Sequence, residues 1–262
     1  MRIRPLRAED VPESANLCGV APTVVAHFLE HDAPGCWAAD DAGSLAGVAL
    51  SSRRDLLWCL ARLTMRPEAA GMTAPLLEAA LGYSRGCLRG LAVLDDDPAT
   101  ARCVRLAGFT LHPTMRLSGQ VDRAALPIVD GVREGTDGDR ALVQSTDRQV
   151  RGAARGPDHE PLLTGASLLV CDITTGSGYA FHHDGTPIAV AATRRDVGRR
   201  LLWEVLARGG PQRTMHVARL SAEQDWATDV GLAAGLGLHV GGYLALRHMR
   251  PPAPYLPAPV FG

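Results

Sequence analysis

The sequence contains no lysine, and all 27 of its basic residues are arginine. Chemistry that depends on a lysine amine, such as Schiff-base formation or phosphate binding by a Walker-type lysine, is therefore excluded. An amino-acid composition without lysine and rich in alanine is typical of a GC-rich genome. It reflects codon usage and says nothing about function.

The sequence is also poor in the features of metal centres, disulfide frameworks and membrane spans. Its six cysteines form no CxxC motif and show no paired spacing, which argues against disulfides and against a metal site. It has no run of about 18 apolar residues, and its first residues lack the apolar stretch of a signal peptide. We therefore expect a reduced, cytoplasmic protein without membrane contact.

Neither sign of charge is in excess. The net charge is −1, from 27 basic and 28 acidic residues, so nucleic acid or an anionic membrane is not expected as the main partner. Hydrophobic residues make up 46 % of the chain, which allows a large core and excludes a disordered protein. At 262 residues the chain can form one large domain or two of ordinary size.

The same arrangement of elements occurs twice along the chain. A short strand at Arg2–Leu6 leads to a helix-capping segment, Arg7–Asp10. Far downstream, Val132–Gly135 leads to a second capping segment, Thr136–Asp139, and to a helix over Arg140–Arg151. Both halves then continue as strands, helix, strand, helix and strand.

This repetition predicts an α+β fold with two domains in tandem, at residues 1–120 and 132–262, joined by a linker at 121–131. The alternative is an unrelated α/β enzyme whose halves merely share a common alternation. The predicted elements of the first half are Ser44–Ser51, Leu56–Met65, helix Thr73–Ser84, Leu88–Leu94, helix Pro98–Leu106 and His112–Leu117. Those of the second half are Ala166–Asp172, Ser177–His183, Pro187–Thr193, helix Val197–Arg208, Thr214–Leu220, helix Glu223–Leu236 and Leu238–Arg247.

The most informative segment runs from Leu63 to Phe109. An apolar strand stops at Arg66-Pro67, and a turn of small residues around Gly71 opens a helix. Such a turn presents backbone N–H groups that are favourable for phosphate. A second strand follows, and then a helix that opens at Asp97-Pro98 and ends at Gly108-Phe109.

This order of elements resembles the acyl-CoA pyrophosphate site of the GNAT superfamily of N-acetyltransferases. The second half is similar to the C-terminal domains of actinobacterial tandem GNAT proteins in two stretches, Ser221–Ala227 and Pro251–Pro257. The resemblance implies two tandem GNAT-like domains, each a mixed, twisted sheet flanked by helices.

The resemblance also implies an acyl-CoA site in the first half. The nearest match to the family's [RQ]-x-x-G-x-[GA] turn is Glu68–Thr73, in which Glu68 replaces the usual Arg or Gln and must point away from a pyrophosphate. The spacing after Pro67 is about two residues short. The alternative is an ordinary strand-to-helix turn. The cofactor-binding residues implied are Leu63, Thr64, Met65, Ala70, Gly71, Met72, Thr73, Ala74 and Asp97.

The equivalent turn of the second half, Arg195–Arg200, keeps Arg and Gly but ends in Arg200 where a small residue is expected. That side chain would either crowd the phosphate path or pair with phosphate. We therefore expect the second half to be a degenerate copy that serves as a scaffold or as a wall of the acceptor pocket.

Neither half carries the acid–base pair typical of the family, so the catalytic residues stay unknown. Val104 and Ala233 occupy the positions of the usual tyrosine, and Trp58 and Cys59 lie near that of the usual carboxylate. Acyl transfer is not thereby excluded, because a thioester is already activated and positioning alone lowers a barrier by about 7–11 kcal/mol in good cases.

Three further groups of residues have alternative explanations. His27 and His31, four apart on a helix, could face an acceptor, form half a metal site or be surface residues. Likewise, His182-His183-Asp184 fits a polar hairpin tip. A basic stripe of Arg148, Arg151 and Arg155 could hold an acidic acceptor or the 3′-phosphate of CoA, or form a solvated helix face.

The leading hypothesis is an N-acyltransferase that uses acetyl-CoA or another acyl-CoA, without a metal. A small-molecule or peptide amine would receive the acyl group directly in a ternary complex, and the protein could be a homodimer. The alternative is a non-catalytic acyl-CoA-binding or regulatory protein that kept the fold. A weaker alternative hypothesis is a module whose two domains only bind a small molecule between them.

Overall fold

The computed structural model describes all residues, 1–262, and has a mixed α+β architecture. The chain packs as two compact units, and each is discontinuous in sequence. The first contains Met1–Leu111, Ala245–Met249 and Gly262, and the second contains His112–Leu244 and Arg250–Phe261. None of the cysteines forms a disulfide. No helix combines the length and the apolar character that crossing a bilayer requires.

The first unit contains five complete strands and four α-helices. The strands are β1 (Arg2–Pro5), β2 (Cys36–Asp41), β3 (Ser44–Arg54), β4 (Leu57–Met65) and β5 (Arg89–Leu94). The helices are α1 (Val11–Cys18), α2 (Pro22–Asp32), α3 (Thr73–Leu81) and α4 (Pro98–Leu106). Short 3₁₀ helices join several of them, among them Pro67–Met72 between β4 and α3.

The strands of the first unit pair in the order β1-β2-β3-β4-β5. All neighbours are antiparallel except β4 and β5, which are parallel. Parallel neighbours need a crossover, and α3 supplies it, with Leu76, Leu77 and Ala80 buried on one face. The core is built around Phe28, Trp58 and Phe109, all fully buried.

The second unit repeats this order of elements. Its strands are β6 (Thr110–Gln120), β7 (Val132–Glu134), β8 (Ser167–Ile173), β9 (Gly176–His183), β10 (Thr186–Ala192), β11 (Thr214–Leu220), β12 (Gly237–Arg247) and β13 (Tyr255–Leu256). Of β6 only the part from His112 onward belongs to this unit, and of β12 only the part up to Leu244. Its helices are α5 (Arg140–Val150), α6 (His159–Thr164), α7 (Arg195–Ala207) and α8 (Asp225–Ala233).

One sheet of the second unit has the order β13-β10-β9-β8-β7. In the other sheet, β6 lies between β12 and β11. The apolar face of α7 lies over the first of these sheets and buries Val197, Leu201 and Leu202. Trp226 of α8 is buried in the same core.

Each unit contains the same ion pair, at the strand that precedes its first helix. Arg4 of β1 binds both carboxylate oxygens of Asp10, at 2.7 and 2.9 Å, and Arg133 of β7 binds both oxygens of Asp139, at 2.9 and 2.6 Å. In both, the aspartate also accepts a backbone N–H from three residues earlier, as in a capping box. The repetition predicted from the two capping segments is therefore present in the contacts themselves.

Most predicted elements are present, and the differences are local. The bounds of α4 and β11 agree with the prediction, whereas the predicted helix Glu223–Leu236 is a 3₁₀ turn followed by the shorter α8. The compact units divide after Leu111 rather than at residue 120, and the predicted linker at 121–131 lies within the second unit. Three elements had no predicted counterpart, namely β2, α6 and β13.

Acid should remove the contribution of the Asp139 ion pair. The hydrogen bonds from Arg133 lower the pKa of Asp139 to about 2, below the ~3.9 of an unfolded aspartate. The stabilisation is therefore present above pH ~4 and is lost as the pH falls through the folded-state value. Asp139→Asn should cost about 1 kcal/mol at pH 7, or a fall of roughly 2–4 °C in melting temperature.

The lower melting temperature of Asp139→Asn relative to the wild type should diminish below pH ~4 and vanish only below pH ~2. Asp137→Asn, an exposed aspartate in the same turn, is the matched control and should change the melting temperature little at any pH. An equal effect of the two substitutions in thermal unfolding would contradict the role given to Asp139.

Candidate functional site

The candidate site lies where β4 parts from β5. The two strands are paired from Leu57 and Arg89 as far as Leu60 and Ala92. Beyond that point β4 continues to Met65, still paired with β3 on its other side, but no residue of β5 is in register with it. The backbone of β4 is therefore left without a strand partner along one edge.

A β-bulge marks the point of divergence. In the pairing of β3 with β4, Leu50 lies opposite Arg62 while the next residue, Ser51, lies opposite Leu60. Ala61 is the extra residue, and its carbonyl oxygen accepts a hydrogen bond from the Arg62 guanidinium at 3.0 Å. Because a bulge bends its strand and increases the local twist, it accounts for the turn of β4 away from β5.

A cavity of about 390 Å³ occupies the space between the diverging strands, within the range of small-molecule sites. It brings together six of the nine predicted cofactor-binding residues, namely Leu63, Thr64, Met65, Ala70, Thr73 and Asp97. Gly71, Met72 and Ala74 do not line it. The other lining residues are Leu60, Ala61, Arg62, Pro67, Val93, Leu94, Asp95, Ala99 and Thr100.

The predicted glycine turn is a 3₁₀ helix, Pro67–Met72, that runs directly into α3. The short spacing noted in the sequence leaves no room for an open loop, and part of the backbone N–H set is used within the turn, as in the bond from Ala69 to Arg66 at 2.9 Å. Gly71 has no neighbour within 4 Å of the place where a Cβ would be. The fold itself therefore does not require a glycine there.

The charged side chains that line the cavity are Arg62, Asp95 and Asp97. Asp97 caps α4, since its carboxylate accepts the backbone N–H groups of Ala99 and Thr100 at 3.1 and 3.0 Å. Hydrogen bonding to Thr100 lowers the pKa of Asp97, so this carboxylate is a poor proton acceptor. Glu68 is exposed and does not line the cavity, as the resemblance required.

No tyrosine, histidine, cysteine or glutamate lines the cavity. Val104, at the position of the family's tyrosine, is fully buried, and so are Trp58 and Cys59. Tyr83, at the far end of α3, donates to the buried Asp32 at 3.1 Å. The lining can therefore enclose a ligand, and its side chains capable of general acid–base catalysis are the carboxylates of Asp95 and Asp97.

Two residues at or near this site, Arg62 and Cys18, were not predicted from the sequence. Arg62 is the one cation of the lining. Cys18, at the end of α1, lies near Thr64, and burial raises the pKa of its thiol. Nothing in the sequence marked either residue, because their position depends on the bulge and on the packing of α1.

The two histidine groups have ordinary explanations in the structure. The rings of His27 and His31 lie edge to face, 4.6 Å apart, on one side of α2. No group of three metal-ligating side chains forms anywhere in the chain. His183 is exposed at the β9–β10 hairpin, as predicted, whereas His182 is buried.

The predicted basic stripe is wrong for two of its three arginines. Arg151 and Arg155 are almost fully buried, and so do not offer a surface to an acidic ligand. Arg155 forms an ion pair with the buried Asp147 at 3.1 Å. This interaction, rather than solvent, compensates its charge.

The corresponding turn of the second unit opens α7 and differs in its use of glycine. A Cβ on Gly198 would lie 3.2 Å from the ring of the buried Trp226, so this glycine permits close packing of α7 against α8. Arg195 and Arg199 pair with Asp225 and Asp229, at 3.1 and 3.0 Å. The glycine and two of the arginines of the motif are thus engaged within the protein.

No family model matches the sequence, and no curated protein sequence matches it significantly. Solved structures do match, and the chain has the fold of the GCN5-related N-acetyltransferases. A proposed acetyltransferase from Pyrococcus horikoshii aligns over 100 % of this chain and 95 % of its own, with a TM-score of 0.78 and 14 % identity.

Two further structures are described as GCN5-related N-acetyltransferases. The one from Kribbella flavida aligns over 94 % of this chain and 71 % of its own, with a TM-score of 0.58 and 18 % identity. The one from Sphaerobacter thermophilus aligns over 99 % and 98 %, with a TM-score of 0.57 and 15 % identity.

The different packing of Gly198 and Gly71 should appear as a difference in the free energy of unfolding when each is replaced. Gly198→Val should lower the free energy of unfolding by about 1–3 kcal/mol, because the added atoms overpack the buried Trp226 ring. Gly71→Val is the matched control and should stay within about ±0.5 kcal/mol, because its side chain meets open space. Urea unfolding checks both, and equal midpoints would show that the α7–α8 contact does not need the glycine.

Proposed function

We propose that the protein is an acyl-CoA-dependent N-acyltransferase whose first unit binds the acyl-CoA. The observation that carries this proposal is the cavity at the divergence of β4 and β5, with an unpaired strand edge on one wall and a helix N-terminus at its end. The fold adds support but does not by itself assign the activity.

The chemistry of the cavity suits the pantetheine arm of CoA. This arm contains two amide groups in an extended chain, and the backbone of Arg62–Met65 offers donors and acceptors of the same spacing as a missing strand. The apolar side chains of Leu60, Leu63 and Val93 enclose the rest. In this arrangement the thioester lies near the bulge at Ala61.

The pyrophosphate would lie at the turn that leads into α3, close to Ala70 and Thr73. Helix N-termini favour anions through their backbone N–H groups and dipole. Gly71 leaves the approach open, since nothing lies within 4 Å of its Cβ position. The carboxylates of Asp95 and Asp97 are unfavourable neighbours for such a group, so the affinity depends on the turn and on the pantetheine contacts.

Transfer would be direct. The neutral amine of the acceptor attacks the thioester carbonyl, the new C–N bond forms, the C–S bond breaks, and CoA leaves as the thiolate. The ammonium proton passes to solvent, because the lining supplies no tyrosine, histidine or glutamate and the carboxylate of Asp97 is occupied in capping α4. The acceptor is a small-molecule or peptide amine.

One observation favours a second candidate function. The same lack of an acid–base pair is expected of a protein that binds acyl-CoA for regulation and does not turn it over. General acid–base groups contribute about 10²–10⁴-fold to rate, so an enzyme without them is slow rather than inactive. Turnover with amines, rather than binding, distinguishes the two.

CoA binding at the turn before α3 can be tested with a substitution that adds both a negative charge and a side chain. Gly71→Glu should weaken CoA binding by at least about 100-fold, or roughly 2.7 kcal/mol, because a carboxylate would face the pyrophosphate. Gly82→Glu is the matched control at the other end of the helix, where a Cβ also meets nothing within 4 Å, and it should bind CoA as the wild type does. Equal calorimetric affinities for all three proteins would place CoA elsewhere.

The proton pathway gives a second test. If solvent accepts the proton, kcat/KM for an amine should rise with pH along a single limb, set by the pKa of the free amine, and should shift when a less basic amine is used. A bell-shaped profile that loses one limb on a single substitution would instead identify an acid or base of the enzyme.

A further inference from the structure

The C-terminal segment of the second unit, Pro252–Pro257, adds a strand to a sheet. Its residues Tyr255 and Leu256 form β13, antiparallel to β10, with Ala191 opposite Tyr255 and Val190 opposite Leu256. The backbone N–H of Ala192 extends the ladder by donating to the carbonyl of Pro254 at 3.2 Å. The edge of β10 is thereby covered by the protein's own chain.

The other side of the same segment is held by β11 and by the turn before α8. The Nε of Arg219, on β11, donates to the carbonyl of Pro257 at 2.6 Å. Gln224 holds the segment at two points, donating to the carbonyl of Pro252 at 2.8 Å and accepting the N–H of Tyr255 at 3.0 Å. The segment therefore lies against both β10 and β11.

Tyr255 ties the segment to the interior. It is 1 % exposed, and its hydroxyl accepts a hydrogen bond from Arg155 at 3.2 Å. Arg155 also bonds Tyr179 at 3.1 Å, and Tyr179 donates to Asp147 at 2.6 Å. Withdrawal of Tyr255 would take a partner from this buried network, which is costly when charged groups are involved.

The place of this segment corresponds to that of the cavity in the first unit. The order β10-α7-β11 of the second unit repeats β4-α3-β5 of the first. In the first unit the edge of β4 beyond Leu60 has no strand partner and borders a cavity. In the second, β10 has β13 as its partner, and Ala253-Pro254 forms one wall of a cavity whose other wall includes Arg194 and Arg195, where α7 begins.

We propose that Pro252–Pro257 permanently fills the pantetheine part of the acyl-CoA cleft of the second unit, along the edge of β10, so that each chain binds one acyl-CoA rather than two. The statement about stoichiometry rests on the function proposed above, whereas the filling of the cleft does not. The segment supplies the backbone hydrogen bonds that a pantetheine arm would make and passes the start of α7, where the pyrophosphate would lie. The buried Tyr255 makes it a fixed part of the unit.

Hydrogen exchange of the full-length protein tests the filling directly. The amides of Tyr255 and Ala192 should exchange as slowly as those of the core strands, and saturating CoA should not change their rates. Tyr255→Ala should raise both rates by at least about tenfold, while Tyr243→Ala, a tyrosine of β12 outside the segment, should not. Fast exchange in the wild type, or exposure on addition of CoA, would overturn the proposal.

Calorimetric titration with CoA tests the stoichiometry. The wild type should bind one CoA per chain, and Gly71→Glu should leave no second site. A residual site in Gly71→Glu whose binding exposes the Ala192 amide would show that the second cleft accepts CoA, and would overturn the proposal. If the wild type binds no CoA, the function proposed above fails, and the exchange rates still decide whether the segment fills the cleft.

Discussion

The separation of β4 from β5 is the constraint on which the rest of the first unit depends. Four residue pairs hold the two strands in parallel register, and the pairing ends one residue before the bulge at Ala61. Backbone groups that lose a ladder partner need another, from water, from the chain or from a ligand. The crossover through α3, the start of that helix and the cap of α4 by Asp97 all converge on the same opening.

The corresponding strand edges of the two units, those of β4 and β10, differ in whether they have a strand partner. In the first, the edge of β4 beyond Leu60 has no strand partner, and a Cβ at Gly71 would meet open space. In the second, a segment anchored by Tyr255 supplies the partner, and Gly198 permits the packing of Trp226. A motif that is similar in sequence is therefore required for packing in one copy and not in the other, and only the surroundings of the glycine distinguish them.

Local signals predicted much of the fold and part of the site. The bounds of α4 follow from Asp97-Pro98 and from the Gly108-Phe109 that ends it, and six of the nine predicted cofactor residues meet in the cavity. The rest depended on contacts distant in sequence. The burial of Arg155 requires Asp147, Tyr179 and Tyr255, of which the two tyrosines lie far from it in the sequence.

The discontinuity of the first unit has a consequence for synthesis of the chain. Domains commonly fold in order as they leave the ribosome, at about 5–20 residues per second. Here Ala245–Met249 belong to the first unit, although more than a hundred residues of the second are translated before them. They include the end of β12, which lies next to β5 in the sheet. Until these residues emerge, β5 exposes an unpaired edge, the kind of surface on which chains aggregate.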